Sequence, residues 1–569
     1  MSLYVAFALG VTYPLVAHLG DRLAGNSPDI FIYPWGTWWL TESVRRGEAL
    51  FFTPFLYFPE GASLAFHNLV LPATGWALLL PRPLNLIAFH NVLILAGFVT
   101  SALAACALAL FLTRSRSAAF LAGVIFGFAP YRVEQARSHL TTVTALWLPL
   151  FLLAFFWLCA SGTRRRRVLG VLAAAVCAVL ALLTRADHMI AGMYVLGFFV
   201  LYPPFARARM AWRARLGWTL AVACCTIVLA LPYFSLWAGH EGIPKPPRWK
   251  TERESGSVSV EKVVTPAPGS LLWGWWRPAT TSADETAKVA FVGFGLLLML
   301  GAGAYWLGRD RAWRFWVGAG LLLVVVSLGP HLVVYDHATR IPLGYDLLPG
   351  IAEVRNPRRF MSAAMLCLAV AAALSWRALV TRIGRGGARA GLTLGMAALL
   401  LLEYAAPPLP TTRPAPSPFY GQLATSPETF GLVEIPSNTR VQDKAYMFYQ
   451  TLHGKPIHAG HMARIPEETF HFIRAVGLLN FVAHEGRVAP AREIVDVSQD
   501  LDILRANGFR FIIFHKRFAE GALFPGINQR ETRLLSAVAR AIGPPAYEDD
   551  LIVAFDLRRL PSVPVRLAP

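Results

Sequence analysis

Two carboxylates, Asp21 and Asp29, lie in the segment LGDRLAGNSPDIFIYPWGTWWL (residues 19–40), directly after the first apolar stretch. A carboxylate at the edge of an apolar span can act as a general base toward a hydroxyl or as a metal ligand. Gly-Asp and Ser-Pro-Asp are also ordinary turn and helix-cap sequences. Asp29 is the stronger candidate, because it opens the aromatic run Phe31, Tyr33, Trp35, Trp38 and Trp39. With Ile32, the spacing of Trp35, Trp38 and Trp39 predicts a helix lying in a membrane interface and anchoring the carboxylate there.

Four further clusters carry chemistry. In APYRVEQARSHL, Arg132, Glu134, Arg137 and His139 sit between two apolar spans, where ionisable groups are costly and are functional candidates. Arg132 and His139 are two helical turns apart and could share a face; a plain solvated loop is the alternative. Arg185-Ala186-Asp187-His188 joins two more spans. It offers Arg185 to a phosphate and Asp187 and His188 to a proton or metal, or else it is a salt-bridged turn. IAEVRNPRRF holds Arg355, Arg358 and Arg359. Guanidinium forks suit bidentate phosphate binding, with snorkelling to lipid headgroups as the other reading. Finally, LHGKPIHAGH carries His453, Lys455, His458 and His461. His458-x-x-His461 has metal spacing but no third ligand, so contact with donor or acceptor is the better reading. There is no P-loop, dinucleotide glycine fingerprint, H-E-x-x-H or G-x-S-x-G.

What must position these groups is a membrane bundle. The chain is 55% hydrophobic and 15% charged, against about 25% charge in soluble proteins. A span needs about 20 apolar residues, and eleven stretches qualify: 2–19, 86–112, 118–131, 141–160, 168–184, 189–205, 217–237, 287–307, 315–331, 361–377 and 391–406. One set of loops holds Arg114 and Arg116, Arg164 to Arg167, Arg207, Arg209, Arg213, Arg215, Arg309, Arg311, Arg314, Arg377, Arg382, Arg385 and Arg389, with Asp310 as its single acid. The other set holds every histidine and lysine. The positive-inside rule makes the arginine face cytoplasmic and accounts for the net charge of +19 without nucleic acid. The N-terminus is then cytoplasmic, the first stretch is a retained helix, and the chemistry is external. The six cysteines all fall in or at the ends of spans, so neither a disulfide framework nor a thiolate metal site is expected.

The expected organisation is a transmembrane region, 1–406, with external loops at 20–85 and 238–286. A proline-rich extended linker follows at 407–419, then a soluble external α/β domain at 420–569. Within that domain LVEIP, FRFIIFH and LIVAFDL read as strands. PEETFHFIRAVGLLNFV, DLDILRAN (capped near Asp500) and RETRLLSAVARAI read as helices.

HLGDRLAGNSPDIFIYPWGTWWL, LYFPEGASLAFHN, FAPYRVEQARSHL and RNPRRF, with the tail segments YQTLHGKPIHAGHMARIP and LRANGFRFIIFHK, together resemble bacterial polytopic membrane proteins of the GT-C glycosyltransferase type. The resemblance spans most of the chain. It implies an α-helical, GT-C-like fold related to the polyprenyl-phosphate-sugar-dependent mannosyltransferases and the aminoarabinose transferase of lipid A. The implied donor is a polyprenyl-phosphate-linked sugar, and the implied acceptor a glycan, lipid or protein of the cell envelope. The implied location is the bacterial inner membrane with a periplasmic C-terminal domain. Such enzymes keep their catalytic carboxylate in the first external loop, which matches Asp29 first and Asp21 second. An inverting displacement would follow, with Asp29 as base and the departing phosphate held by Arg355, Arg358 and Arg359, together with Arg132 or Arg185. His139, Asp187, His188, His453 and Lys455 are the remaining acid/base or acceptor-contact candidates. The Asp-Glu pair of the mannosyltransferases is absent, since Ile30 follows Asp29; no metal is assigned, and a divalent cation stays open. The competing readings are a lipid-linked sugar transporter or flippase and a non-catalytic envelope assembly protein.

Overall fold

A helix overlaps each of the eleven apolar stretches in the computed structural model, which describes residues 1–81, 83–204, 211–237, 249–276, 289–383, 386–438, 440–483, 497–521 and 523–561. These helices are α1 (Ser2–Val11), α3 (Leu86–Thr113), α4 (Arg116–Gly127), α5 (Trp147–Ala160), α6 (Arg164–Thr184), α7 (Ala186–Leu201), α8 (Trp212–Phe234), α9 (Phe294–Leu307), α10 (Arg311–Ser327), α11 (Phe360–Val380) and α12 (Gly386–Tyr404), with α2 (Ile32–Arg46) between the first two. Six are long and apolar enough to cross a membrane, counting Leu140–Ala160 as one. The protein is a multi-pass membrane protein. Two of the others, α1 and α4, are shorter than their apolar stretches because the stretches are interrupted. α1 stops at Val11 before Pro14 opens a 3-10 turn, and α4 stops at Gly127 before Pro130 starts a separate short helix, as a proline's missing donor and fixed φ require. Parts of the expected 238–286 loop (238–248 and 277–286), and Arg207, Arg209 and Arg385 of the arginine loops, lie outside the described residues.

α11 runs through the centre of the bundle and packs against α3, α4, α9 and α10. It is buried around nearly its whole circumference, and its alanines let the neighbouring backbones close in.

Beyond the bundle, the described residues between 419 and 560 form a four-stranded sheet with helices around it. The strands are β1 (Gly431–Ile435), β2 (Phe509–His515), β3 (Tyr547–Glu548) and β4 (Ile552–Asp556), in the order β1-β2-β4-β3. β1 and β2 are parallel, with Ile435 opposite Phe514; β2 and β4 are antiparallel, with Ile552 opposite His515. The helices include α13 (Gln442–His453), α14 (Ser498–Ala506) and α15 (Gln529–Ile542). Asp500 does not cap its own helix. Its carboxylate accepts from the backbone of Gly477 and Leu478 (3.1 and 2.8 Å), capping the helix Gly477–Val482 instead.

The hydrophobic core of this C-terminal region is shared with the first loop. Ile30, Phe31, Trp35, Trp39, Phe55, Leu56 and Tyr57 belong to the same buried cluster as β1, β2 and α13. This corrects the interfacial reading of α2. Trp35 and Trp39 are fully buried; the Trp35 indole donates to Gln450 Oε1 (2.7 Å) and the Trp39 indole to Leu50 O (2.9 Å). Tyr33 stacks on His90 of α3 with ring centroids 5.8 Å apart. With α13 on one side and α3 on the other, α2 is a wedge between bundle and C-terminal region, and its aromatic spacing reflects two protein contacts rather than one lipid contact.

The loop leading to Asp29 is pinned on both sides. Leu23–Ala24 pair antiparallel with Thr411–Thr412 of the proline-rich stretch, and the Asn91 side chain bonds Ala24 N, Leu19 O and Arg22 O. Gly25 sits at φ +109°, and a Cβ there would lie 2.1 Å from Arg137 O. Gly25→Ala is therefore expected to cost roughly 2–5 kcal/mol from strain and overlap together. A thermal melt of the purified protein would check this; an unchanged melting temperature would show that the loop yields.

Candidate functional site

A cavity of about 280 Å³ opens where the first loop, the bundle and the C-terminal region meet. Its polar lining includes Asp29, His139, Arg185, Asp187, Arg355 and Arg359, with His461 and Arg464 from the C-terminal region. Its apolar and aromatic lining includes Phe51, Phe66, Leu183, Ile190, Tyr233 and Trp237.

Asp29 belongs to the 3-10 turn Pro28–Phe31, whose N-cap Ser27 accepts from the Asp29 backbone N–H (3.3 Å). Ser-Pro-Asp is thus a cap sequence as well as the carrier of the carboxylate. The side chain is 24% exposed; Lys444 Nζ donates to Oδ1 and His139 Nε2 lies 3.2 Å from Oδ2. Burial opposes ionisation of Asp29, but Lys444, His139 and His461 override it and hold the carboxyl well below the usual carboxylate range. Burial, with Arg359 and Arg185 beyond, keeps the His139 imidazole below its ordinary value against the pull of Asp29. His139 is then neutral near pH 7, its Nε2–H donating to Asp29 and its Nδ1 accepting from the Ser138 hydroxyl (2.5 Å). His67, which also lines the cavity, is pushed by burial down to about 4.

Three of the four arginines come from two places in the bundle. Arg185, the residue between α6 and α7, donates through Nε to Asp187 Oδ1 (2.9 Å) and through Nη1 to Thr142 Oγ1. Arg359, just before α11, has Nη1 3.9 Å from the same Asp187 oxygen. Arg355 Nε lies 3.6 Å from Glu252, which also holds Arg440 at 2.7 Å. Two guanidinium groups around one buried carboxylate leave positive charge facing the cavity, a setting suited to an anionic oxygen.

Not every expected residue is here. Asp21 is half-exposed and lies within ion-pair range of His18 and Arg22 (3.6 and 4.0 Å), away from the cavity lining. Arg132 is fully buried and donates to the carbonyls of Phe126 (3.1 Å) and Val143, tying α4 to the segment before α5. Arg358 and His188 do not line the cavity; the Arg358 backbone N–H bonds Gly256 O (3.0 Å). His453 stacks on Tyr420 at 5.3 Å and accepts from the Lys455 backbone. Lys455 Nζ caps the carbonyls of Ser426 and Glu428 (2.6 and 2.7 Å). His458 accepts from Glu434 N (3.3 Å), so the His458-x-x-His461 spacing is split and His461 alone of the four reaches the cavity. Arg132 and Lys455 donate to backbone carbonyls, and His453 and His458 accept from backbone N–H groups, away from the cavity.

Sequence reasoning missed Lys444, His67 and Arg464, and it read Tyr33 only as an anchor. Lys444 had no local signal: it meets Asp29 across 415 residues. The donor set does not fit a divalent cation. Lys444 takes one Asp29 oxygen, Asp187 is engaged by arginines, and no group of three His, Cys, Asp or Glu that could hold a metal occurs among the described residues.

No protein-family model matches the chain, and no curated protein sequence matches it significantly. Solved structures do. The arabinofuranosyltransferase AftD from Mycobacteria superposes with a TM-score of 0.51 at 15% identity, covering 98% of this chain and 41% of that one. ArnT from Cupriavidus metallidurans, bound to undecaprenyl phosphate, gives 0.48 at 13% identity, covering 98% and 97%. The Archaeoglobus fulgidus oligosaccharyltransferase gives 0.48 at 14% identity, covering 90% and 69%. The chain spans less than half the length of AftD. At these identities the likeness is one of fold, shared with the part of AftD that the chain covers.

Proposed function

We propose that the chain is a membrane glycosyltransferase that moves a sugar from a polyprenyl-phosphate donor to a hydroxyl of a cell-envelope acceptor. The observation that carries this reading is one cavity lined by a carboxylate, several arginines and a set of apolar and aromatic side chains. Each part answers one demand of the reaction. The lipid tail needs an apolar flank, the phosphate needs guanidinium groups, and the acceptor hydroxyl needs a proton acceptor.

In an inverting displacement the acceptor oxygen bonds to the anomeric carbon while the bond from that carbon to the phosphate oxygen breaks. The electron pair leaves with the lipid phosphate, beside Arg185, Arg355 and Arg359. The hydroxyl proton passes to Asp29. A low carboxyl pKa is compatible with this role. Glycosyl transfer goes through an oxocarbenium-like transition state, in which the attacking hydroxyl becomes acidic as its bond forms, so a weak, well-oriented base suffices. His139 orients Asp29 and can carry the proton onward. By the positive-inside rule the cavity faces the periplasm and the N-terminus the cytoplasm of a bacterial inner membrane.

The test is transfer in proteoliposomes, using a panel of radiolabelled polyprenyl-phosphate sugars and a membrane acceptor fraction. Label should enter the acceptor with release of an equal amount of polyprenyl phosphate. Label that crosses the vesicle while still lipid-linked, with no release, would sink the transferase reading in favour of a flippase.

A further inference from the structure

Lys444 reaches Asp29 from the opposite end of the chain. It lies in the first turn of α13, which packs directly on the turn carrying Asp29, and its side chain is only 8% exposed. Its ammonium occupies Asp29 Oδ1, while Oδ2 faces His139 at 3.2 Å. Divalent ions gather carboxylates, imidazoles and water, and avoid other cations. Here the protein's own cation occupies the carboxylate. The charged and titratable groups acting on Asp29 are Lys444 from α13, His139 before α5 and His461 from the C-terminal region, while Asp29 itself acts on Tyr33 in α2.

We infer that Lys444 is the resident counter-cation of Asp29, a positioning residue that takes the place of a divalent metal and lets the reaction at this site run without one. The inference rests on the reading of Asp29 as acceptor base. A carboxylate has about four lone-pair positions; Lys444 and His139 take two and turn the others toward the cavity. An ammonium supplies a single charge and three donors. It keeps the carboxylate ionised without drawing off its electron density as a metal would. Because α13 belongs to the C-terminal region, that region is part of the reaction centre and not only a platform for acceptors.

The experiment uses the full-length protein in proteoliposomes. Transfer should survive EDTA to within about twofold of the untreated rate. Loss of transfer in EDTA with recovery on adding Mn²⁺ or Mg²⁺ would overturn the inference while leaving the transferase reading intact. Lys444→Met should lower kcat and move the acid limb of its pH profile up by about 1–3 units, the range an adjacent opposite charge commands. Lys444→Arg, which keeps the charge, should hold the limb in place. Superimposable profiles for wild type and Lys444→Met would refute the role. A second readout is independent of transfer and of any Lys444 variant: Mn²⁺ binding followed by electron paramagnetic resonance. Identical Mn²⁺ binding by wild type and Asp29→Asn supports the inference, and a site lost only in Asp29→Asn overturns it. Should Asp29→Asn retain full transfer, the base reading falls, and the Mn²⁺ comparison still decides what neutralises Asp29.

Discussion

Asp29→Asn is expected to lower kcat by about 10²–10⁴-fold, the range general-base catalysis commands, with little change in KM for the lipid-linked donor. Asparagine keeps the shape and can still accept from Lys444, but it cannot take up a proton. The fold should persist, at a cost of about 1–3 kcal/mol for a weakened buried contact, read as a lower melting temperature. Asp29 also sets a pH expectation. Its folded-state carboxyl lies well below the usual range, so its stabilising contribution is complete above the unfolded value of about 3.9. That contribution is lost only as pH falls through the folded value. Neither stability nor kcat should therefore titrate through Asp29 between pH 5 and 8. An acid limb near neutral pH that disappears in Asp29→Asn would contradict this assignment, and a fully active Asp29→Asn would remove the residue from the mechanism.

Arg359→Ala is expected to have the second-largest effect, a loss of about 10²–10³ in kcat/KM, the scale seen when a charge-stabilising donor is removed. Arg359 lines the cavity, sits on the shoulder of α11 and shares Asp187 with Arg185. It is thus held in place by the most buried helix of the bundle and is not fully neutralised. The loss should divide between weaker donor binding and slower departure of the phosphate, which steady-state kinetics with varied donor would separate. Arg359→Lys should rescue little, because a point charge does not reproduce the planar fork. Equal kinetics for Arg359→Ala and wild type would move the phosphate site elsewhere. Arg358, a neighbour in sequence that does not line the cavity, is the control and should tolerate alanine.

The local signals in the sequence were sound wherever short-range physics decides. Long apolar runs became helices, and the short, mainly apolar β1 and β2 segments became strands, because hydrophobic burial and backbone pairing act within a few residues. Asp29, His139, Arg185, Asp187, Arg355 and Arg359 were identifiable because a charged group beside an apolar span is costly enough to need a reason. The same rule over-selected. Arg132 was named on equal grounds with Arg185, yet it spends its donors on the carbonyls of Phe126 and Val143. His453 Nδ1 and Lys455 Nζ find backbone partners within the C-terminal region. Type and spacing reveal that a polar group needs a partner, not whether that partner is a ligand or a carbonyl.

By itself, then, the sequence determined a helical membrane bundle, a sheet-and-helix tail, and a first loop with a carboxylate at its edge, all properties of nearest neighbours along the chain. Tertiary structure alone decided that the aromatic helix is a wedge between protein surfaces and that the tail shares its core with the first loop. It also decided that Asp29 meets an ammonium 415 residues away. Contacts at that separation leave no periodicity to read; they exist because burying Trp35, Trp39 and Phe31 against α13 brings Lys444 to Asp29.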